Sequence, residues 1–491
     1  MSDAPRAQQE LDTVPLEAWA RVALPDANLI APLNGGQLAA APVLQPPITT
    51  DAGFADLFES RHGKKVSFCH ELDIFFVWDG ALWRPDNAGA VLNMALEMGR
   101  DRLREAAAQA ALGEVGRAVK EAVRLCDVDS AASMLEALKV RPGVIRSISD
   151  FDADPMLMGV ANGVLDLRER KLCDPDPALL VSKRAGCAFD ADAKAPRWIR
   201  FLEEILPDTD VRAYVRRQAG LILTGLAAQW FLFLYGLGAN GKTTLVEALF
   251  TLLGEYATRA TGDLLVRSRQ FKNLDFELAR LPGVRLLVGS EWSEGTALNE
   301  NLVKDLTGGD SLRARDLYKS YFTFRPQLKL WMLGNHKPGI AGSDQGIWRR
   351  VRLVHFGQTI PKDKQDPKLP EALREELPGI LNWCLDGLAD YLGRGDLLPD
   401  AVQAATAEYR DAEDLLAQFA EDVLVLTPGA TITKSDVYEQ YRYWASNNGI
   451  QHLWTQKTLA KRLVERFGLE ERRTRAARLL AGARLRESGD A

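Results

Sequence analysis

The side chains best suited to chemistry lie in one short stretch, residues 235–244, which reads Tyr-Gly-Leu-Gly-Ala-Asn-Gly-Lys-Thr-Thr. Gly236, Gly241, Lys242 and Thr243 occupy the fixed positions of the pattern G-x-x-x-x-G-K-[ST]. In such a loop the backbone N–H groups surround phosphates, the lysine reaches the β- and γ-phosphates, and the hydroxyl binds Mg²⁺. The pattern therefore predicts a site for ATP and Mg²⁺. Its nine residues are Gly236, Leu237, Gly238, Ala239, Asn240, Gly241, Lys242, Thr243 and Thr244.

The elements around this loop fit phosphate binding. Residues 230–234 form a bulky apolar run that predicts a buried strand, and residues 244–253 are apolar at helical spacing. The loop would then stand at a helix N-terminus, where the helix dipole favours an anion.

Two later apolar runs end in polar side chains that belong beside the γ-phosphate. Residues 285–291 predict a strand ending at Glu291, which would polarise the attacking water and support the metal. Residues 328–335 predict a strand ending at Asn335, which would hydrogen-bond the water or the γ-phosphate. The alternatives are a glutamate facing solvent and an asparagine that serves only a turn.

Arginines precede an alternating strand at residues 351–356. One of these arginines, among them Arg349 and Arg350, could act as a finger on the nucleotide of a neighbouring subunit. The alternative is a basic strand edge.

A basic hairpin is predicted between the second and third strands. It carries Arg313, Arg315 and Lys319 close to Tyr318 and Tyr321, a combination that can follow a nucleic-acid backbone and stack on bases. The alternative is a hairpin that only packs on its neighbour.

Bulk composition limits the class of protein. The 491 residues carry a net charge of −6 with 46% hydrophobic residues, so any nucleic-acid site must be a local basic surface. The five cysteines form no C-x-x-C pair, which indicates a reducing compartment and predicts no structural metal. The N-terminus has no apolar signal segment, and the uncharged stretch 219–239 is broken by glycines, so we expect a cytoplasmic protein without a membrane span.

The composition divides the chain into six predicted regions. They are a flexible leader (1–50), a small α/β region (51–145), a mostly helical collar (146–225), an ATPase domain (226–395), a helical connector (396–430) and a winged-helix-like domain (431–491).

The last region is basic. From Thr431 onwards, twelve Lys and Arg stand against seven Asp and Glu, a net of 12 − 7 = +5. A helix over 434–446, a glycine turn and a helix over 455–467 predict a helix-turn-helix or winged-helix module. Lys457, Lys461 and Arg462 would contact DNA; the alternative is a solvated basic helix.

Together these motifs resemble superfamily 3 helicases of the AAA+ type, and most closely the helicase portion of phage and plasmid primase–helicases, which are related to the poxvirus primase–helicase. The motifs that carry the resemblance are 236–244, 290–291, 298–300, 306–310, 313–315, 334–336 and 346–350.

The resemblance implies a P-loop α/β fold and a ring, most often a hexamer, that hydrolyses ATP between subunits and moves along single-stranded DNA. It assigns Lys242 and Thr243 to nucleotide and Mg²⁺, Glu291 to water activation, and Asn335 to sensing. It assigns the finger to Arg349, with Arg350 as second choice, and the DNA channel to the basic hairpin.

Two departures from the family pattern affect these roles. The acidic pair at the end of the second strand is here Ser290-Glu291, so Glu291 would serve both metal and water. About 145 residues precede the matching region, too few for a primase domain and a leader, so we expect a separate primase.

The sequence thus predicts an ATP-dependent replicative DNA helicase of a phage, plasmid or integrated element, working in a bacterial cytoplasm. Two alternatives remain open: a DNA translocase or packaging motor that does not unwind, and a DNA-binding initiator that uses ATP only as a switch.

Overall fold

The computed structural model describes residues 50–110, 116–261, 264–267, 274–290, 292, 296–317, 319–340, 345–450, 453–474 and 477–487. The predicted leader lies outside these ranges except for Thr50, and Glu291 and Tyr318 lie outside them as well.

The first unit packs helices against a small mixed sheet. Its elements are α1 (Asp51–His62), β1 (Val66–Cys69), β2 (Ile74–Trp78), β3 (Trp83–Pro85), α2 (Ala90–Ala110), α3 (Gly116–Leu125), α4 (Val128–Leu138) and β4 (Ile145–Arg146). The sheet order is β3-β2-β1-β4. Phe54 and Phe58, one helical turn apart on α1, are buried in one core with Phe68 of β1.

The second unit differs from the expected mostly helical collar. It begins with a three-stranded antiparallel sheet of β5 (Leu157–Val160), β6 (Gly163–Asp166) and β7 (Lys171–Cys173), and only then forms α5 (Pro196–Ile205) and α6 (Thr209–Leu221). The chain can reverse between β5 and β6 because Gly163 adopts a φ of +143°. Short single-turn 3₁₀ helices cover Ile148–Asp150 and Pro177–Leu179.

A five-stranded parallel sheet forms the centre of the molecule. Its strands are β8 (Phe231–Tyr235), β9 (Ala257–Arg259), β10 (Leu286–Ser290), β13 (Lys329–Gly334) and β14 (Val351–His355), in the order β14-β8-β13-β10-β9. Leu232 and Leu234 face one hydrophobic core while Phe231 and Phe233 face another, so both faces of β8 are covered. The predicted α/β class is confirmed, and the pairing of its central strands is parallel throughout.

Helices and a hairpin complete this domain. They are α7 (Lys242–Leu253), α8 (Leu274–Leu278), α9 (Glu300–Gly308), β11 (Leu312–Ala314), β12 (Phe322–Phe324), α10 (Gln345–Trp348), α11 (Leu369–Glu375), α12 (Leu377–Arg394) and the 3₁₀ helices Gly254–Tyr256 and Lys362–Lys364. β11 and β12 pair antiparallel as the predicted basic hairpin.

Two buried cations join the central sheet to the second unit. The guanidinium of Arg285, 0% exposed, donates to the carbonyl oxygens of Leu157 and Leu223 and lies over the Tyr256 ring at 4.3 Å. The ammonium of Lys329 donates to the carbonyl oxygen of Thr224, and burial, with Arg285 nearby, holds its pKa well below the ordinary value. The burial of a charge without hydrogen-bond partners is energetically costly, and carbonyl oxygens of the second unit lower this cost for both cations.

The C-terminal unit begins earlier than the predicted boundary at residue 431. After α13 (Asp400–Ala412) its elements are α14 (Leu415–Val423), β15 (Leu424–Thr433), α15 (Lys434–Asn447), α16 (Gln456–Phe467), β16 (Glu470–Arg473) and β17 (Arg478–Leu485). Leu416 and Phe419 of α14 are buried with Tyr441 of α15, so α14 belongs to this core and not to a connector. The three strands form one sheet in the order β15-β17-β16.

Within the described ranges, no helix has both the length and the apolar composition needed to cross a membrane. The uncharged stretch 219–239 divides between the end of α6, β8 and the phosphate-binding loop.

Candidate nucleotide cleft and nucleic-acid surfaces

The loop between β8 and α7 has the backbone shape that its glycines allow. Gly238, Ala239 and Gly241 have φ values of +103°, +47° and +77°. A Cβ on Gly241 would lie 2.5 Å from Cγ2 of Ile205, and one on Gly236 would lie 2.5 Å from the Phe356 carbonyl oxygen. These two positions therefore accept only glycine without movement of the surrounding chain.

Lys242, the first residue of α7, is held inside the loop by oxygen atoms. Its Nζ donates to the Gly236 carbonyl at 2.6 Å, the Asn240 amide oxygen at 2.9 Å and the Asn335 amide oxygen at 3.3 Å. The residue is only 5% exposed, and burial holds the pKa of its ammonium below the ordinary value. Its described hydrogen-bond partners are all uncharged, so its positive charge is available to an anion.

The loop opens into a cleft of about 470 Å³ at the carboxyl edge of the parallel sheet. Thr243 is exposed to it, and Ser290 and Asn335 border it where β10 and β13 end. Ligands of open α/β sheets bind at this edge. The end of β10 thus lies at the cleft, as the sequence predicts for the strand before Glu291. Glu291 itself lies outside the described residues.

An aromatic side chain closes one side of the cleft. The indole Nε1 of Trp292 donates to the His336 carbonyl oxygen at 3.1 Å, and its ring lies 5.8 Å from that of Phe233. Both Trp292 and His336 border the same space. This hydrogen bond ties the segments after β10 and β13 together.

The two candidate finger arginines have different environments. Arg350 is 8% exposed, and its Nη1 donates to the Thr307 carbonyl at 3.2 Å, where it satisfies the C-terminal end of α9. Arg349 is exposed. Both precede β14, so they lie at the sheet edge opposite the loop of their own subunit. Of the two, Arg349 alone presents its side chain to solvent and a neighbouring molecule.

The basic side chains of the hairpin make contacts in two different places. The guanidinium groups of Arg313 and Arg315 lie over the ring of Tyr321 at 3.8 and 4.5 Å. The ammonium of Lys319 instead donates to the carbonyl oxygen of Leu72 in the first unit and lies 3.7 Å from Asp316. The structure therefore groups the two arginines on Tyr321 and separates Lys319 from them.

The basic side chains of helix α16 also differ from one another in their contacts. Lys457 and Lys461 are exposed and one turn apart, and Lys461 lies 3.6 Å from Glu465. The guanidinium of Arg462 lies over the ring of Trp454 at 4.4 Å. Trp454 stacks on Tyr441 at 5.5 Å with an angle of 2°, so Arg462 continues a column of aromatic rings.

Comparison with known families gives three matched segments. Residues 55–207 match a model described as D5 N terminal like, residues 234–350 match a family of unknown function (DUF5906), and residues 412–479 match Poxvirus D5 protein-like. Two of the three matched models thus carry a D5-like description, one at each end of the matched region. The predicted resemblance to the poxvirus primase–helicase is thereby confirmed.

Curated relatives of this chain come from large DNA viruses. It is 31% identical to putative helicase L207/L206 of Acanthamoeba polyphaga mimivirus, over 62% of this chain and 36% of that protein. It is also 31% identical to putative helicase 022R of Frog virus 3, over 61% of this chain and 39% of that protein. The chain thus spans about two fifths or less of the length of these relatives.

The match to a solved structure of the NrS-1 C-terminal region covers 88% of this chain and 99% of that one, with a TM-score of 0.46 and 10% identity.

The D5-like matches agree with the domain division seen in the structure. The Poxvirus D5 protein-like segment begins at residue 412, close to the start of α14 at Leu415 and well before residue 431.

Two residues that border the cleft were not found from the sequence. Glu247 lies on α7 one turn after Thr243, and Arg259 ends the edge strand β9. The i, i+4 spacing from Thr243 could have found Glu247, because residues at that spacing share a helix face. Arg259 lies in a three-residue strand with no motif around it, so no sequence signal was available.

Proposed function

We propose that this chain is an ATP-dependent replicative DNA helicase of the superfamily 3 AAA+ type, which works as a ring on single-stranded DNA. The observation that carries the proposal is the convergence of Lys242, exposed Thr243 and Asn335 on one cleft at the carboxyl edge of a parallel sheet. Homologues named putative helicases agree with a role in DNA replication.

The loop fits a nucleoside triphosphate with Mg²⁺. Lys242 carries a buried charge without a carboxylate partner among the described residues, and the absence of a Cβ at Gly236 and Gly241 lets the loop pack closely on Phe356 and Ile205. Thr243 and Glu291 would hold Mg²⁺, which, when bound, neutralises charge on the terminal phosphates. Glu291 would orient the attacking water, and Asn335 would bind that water or the terminal phosphate.

The position of Arg349 favours a ring. An arginine at the sheet edge opposite its own cleft can serve only the nucleotide of another subunit, so hydrolysis requires at least two copies. A ring, most simply a hexamer, supplies each cleft with such an arginine. Arg313 and Arg315 of the hairpin would then line the channel for single-stranded DNA.

The C-terminal unit would bind duplex or forked DNA. Its order of helix, strand, two helices and two strands suits a winged helix in which α16 presents Lys457 and Lys461. Arg462, held on Trp454, would contribute to the same face.

The decisive experiment is ATP turnover with and without single-stranded DNA, on a sample whose mass is measured in the same buffer. A large ring whose hydrolysis rises several-fold with DNA, and which separates a forked duplex, supports the proposal. A nucleotide-bound monomer indifferent to DNA would replace it by the ATP-switched initiator, and stimulated turnover without strand separation by a translocase. Glu291→Gln should abolish turnover but retain nucleotide binding.

A further inference from the structure

Arg259 and Glu247 form an ion pair inside the nucleotide cleft. The Arg259 Nη2 donates to the Glu247 Oε1, and the guanidinium lies over the ring of Phe250 at 4.8 Å. Both side chains border the same space as Lys242, Thr243 and Asn335. The pair therefore belongs to the wall of the cleft and not to a remote surface.

Arg259 reaches the cleft from the edge strand β9, whereas Lys242 reaches it from the loop before α7. Arg259 pairs with Val288 in the register of β9 and β10, two residues before Ser290 at the cleft border. Two residues of strand span about 6.6 Å, a distance that an arginine side chain covers. Lys242 and Arg259 thus bring positive charge to the cleft from two separate elements.

Arg259 can exchange the carboxylate of Glu247 for a phosphate group. The side chains of Arg259 and Glu247 are 45% and 48% exposed, and an exposed pair of this kind contributes little to stability. A terminal phosphate offers the guanidinium two charged oxygens in the planar fork geometry that arginine binds best. Exchange of the carboxylate for phosphate would therefore cost little and gain charge-assisted hydrogen bonds.

We propose that Arg259 contacts the terminal phosphate of a nucleoside triphosphate bound in its own subunit, and that Glu247 holds the arginine when that phosphate is absent. This rests on the proposed nucleotide site and adds to it a residue that distinguishes triphosphate from diphosphate. Arg349 would serve the neighbouring subunit, whereas Arg259 would serve its own.

The test is a titration of the purified protein with a fluorescent, slowly hydrolysed ATP analogue and with the corresponding ADP analogue. Arg259→Ala should weaken binding of the triphosphate roughly tenfold or more, because charge-assisted hydrogen bonds are lost, while ADP affinity stays within about twofold. Arg259→Lys should recover part of the loss. Glu247→Gln, which frees the arginine, should bind the triphosphate as tightly as the unmodified protein or more tightly.

A matched control exists on α2, where Arg100 pairs with Glu97 at similar exposure, 54% and 46%. Arg100→Ala should change neither affinity. Equal losses for both nucleotides in Arg259→Ala, or no loss, would overturn the role of Arg259 while leaving the proposed function in place. If the unmodified protein bound neither nucleotide, both proposals would fall.

Discussion

The ammonium nitrogen of Lys242 lies 3.3 Å from the amide oxygen of Asn335. This contact joins the glycine-rich loop 236–241 to the residue that follows β13. Because the acceptor is an uncharged amide, the lysine can leave it for a phosphate oxygen at little cost. A change of charge at position 335 should therefore act directly on the lysine.

Asn335→Asp is expected to weaken ATP binding roughly tenfold or more. The new carboxylate would pair with Lys242 and repel the phosphates, and hydrogen bonds to charged groups are worth about 1.5–3 kcal/mol. Asn335→Ala removes only an uncharged acceptor and should retain affinity while slowing hydrolysis. Equilibrium titration and steady-state turnover separate the two effects; similar affinities for both variants would contradict this account.

Arg349→Ala is expected to bind ATP normally but to hydrolyse it at least a hundredfold more slowly, by analogy with other arginine fingers. Mixing it with Lys242→Ala should restore part of the activity, since mixed rings contain interfaces with an intact cleft and an intact finger. Absence of recovery at every mixing ratio would remove Arg349 from that role.

Arg350→Ala should instead lower stability. Loss of the buried guanidinium leaves the Thr307 carbonyl without its donor, which costs about 1–3 kcal/mol. Thermal unfolding of Arg349→Ala and Arg350→Ala side by side tests this difference. An unchanged unfolding temperature for Arg350→Ala would show that the contact contributes nothing.

The two hairpin arginines should carry the response to DNA. Arg313→Ala combined with Arg315→Ala is expected to remove stimulation of turnover by single-stranded DNA, and to reduce the slope of log affinity against log salt by about 0.7 for each lost contact. Lys319→Ala is the comparison, because its ammonium already contacts Leu72 in the first unit. If Lys319→Ala alone abolished stimulation, the DNA path would run along the first unit instead.

The exposed lysines of α16 should bind DNA without shaping the fold. Lys457→Ala with Lys461→Ala is expected to leave thermal unfolding unchanged and to reduce the salt slope of duplex binding by about two. In contrast to the two lysine substitutions, Arg462→Ala should lower the unfolding temperature of this unit, because the Arg462 side chain covers Trp454. Salt titrations and unfolding scans on the full chain make this comparison; an unaltered salt slope in the double lysine variant would leave α16 without a DNA role.

The parts of the site that were predicted correctly are those that short local sequence patterns determine. The glycine pattern 236–241 located the loop, and the apolar runs before Ser290 and Asn335 located two strands whose ends meet at the cleft. Parallel strands bring their carboxyl ends to one edge, so order along the chain was enough to assemble this part.

What the sequence missed depends on tertiary partners. Arg350 and Arg349 are adjacent in sequence, yet the turn that closes on the Ile347 carbonyl directs Arg350 towards the end of α9. Lys319 has the same charge as Arg313 but finds its acceptor in a unit 247 residues earlier in the chain. Likewise, the sequence alone assigns α14 to a connector, because only the folded structure shows that Phe419 is buried together with Tyr441.

The buried cations Arg285 and Lys329 decide how this protein can be divided for experiments. Arg285 donates to the carbonyl oxygens of Leu157 and Leu223, and Lys329 donates to that of Thr224, all before residue 226. A fragment that starts at residue 226 would lose these three acceptors and keep only the Gln327 carbonyl oxygen for Lys329, so we expect it to be insoluble. Any shortened version meant to retain the ATPase must therefore begin ahead of β5, and proteolytic cleavage between the two units should yield pieces that stay associated.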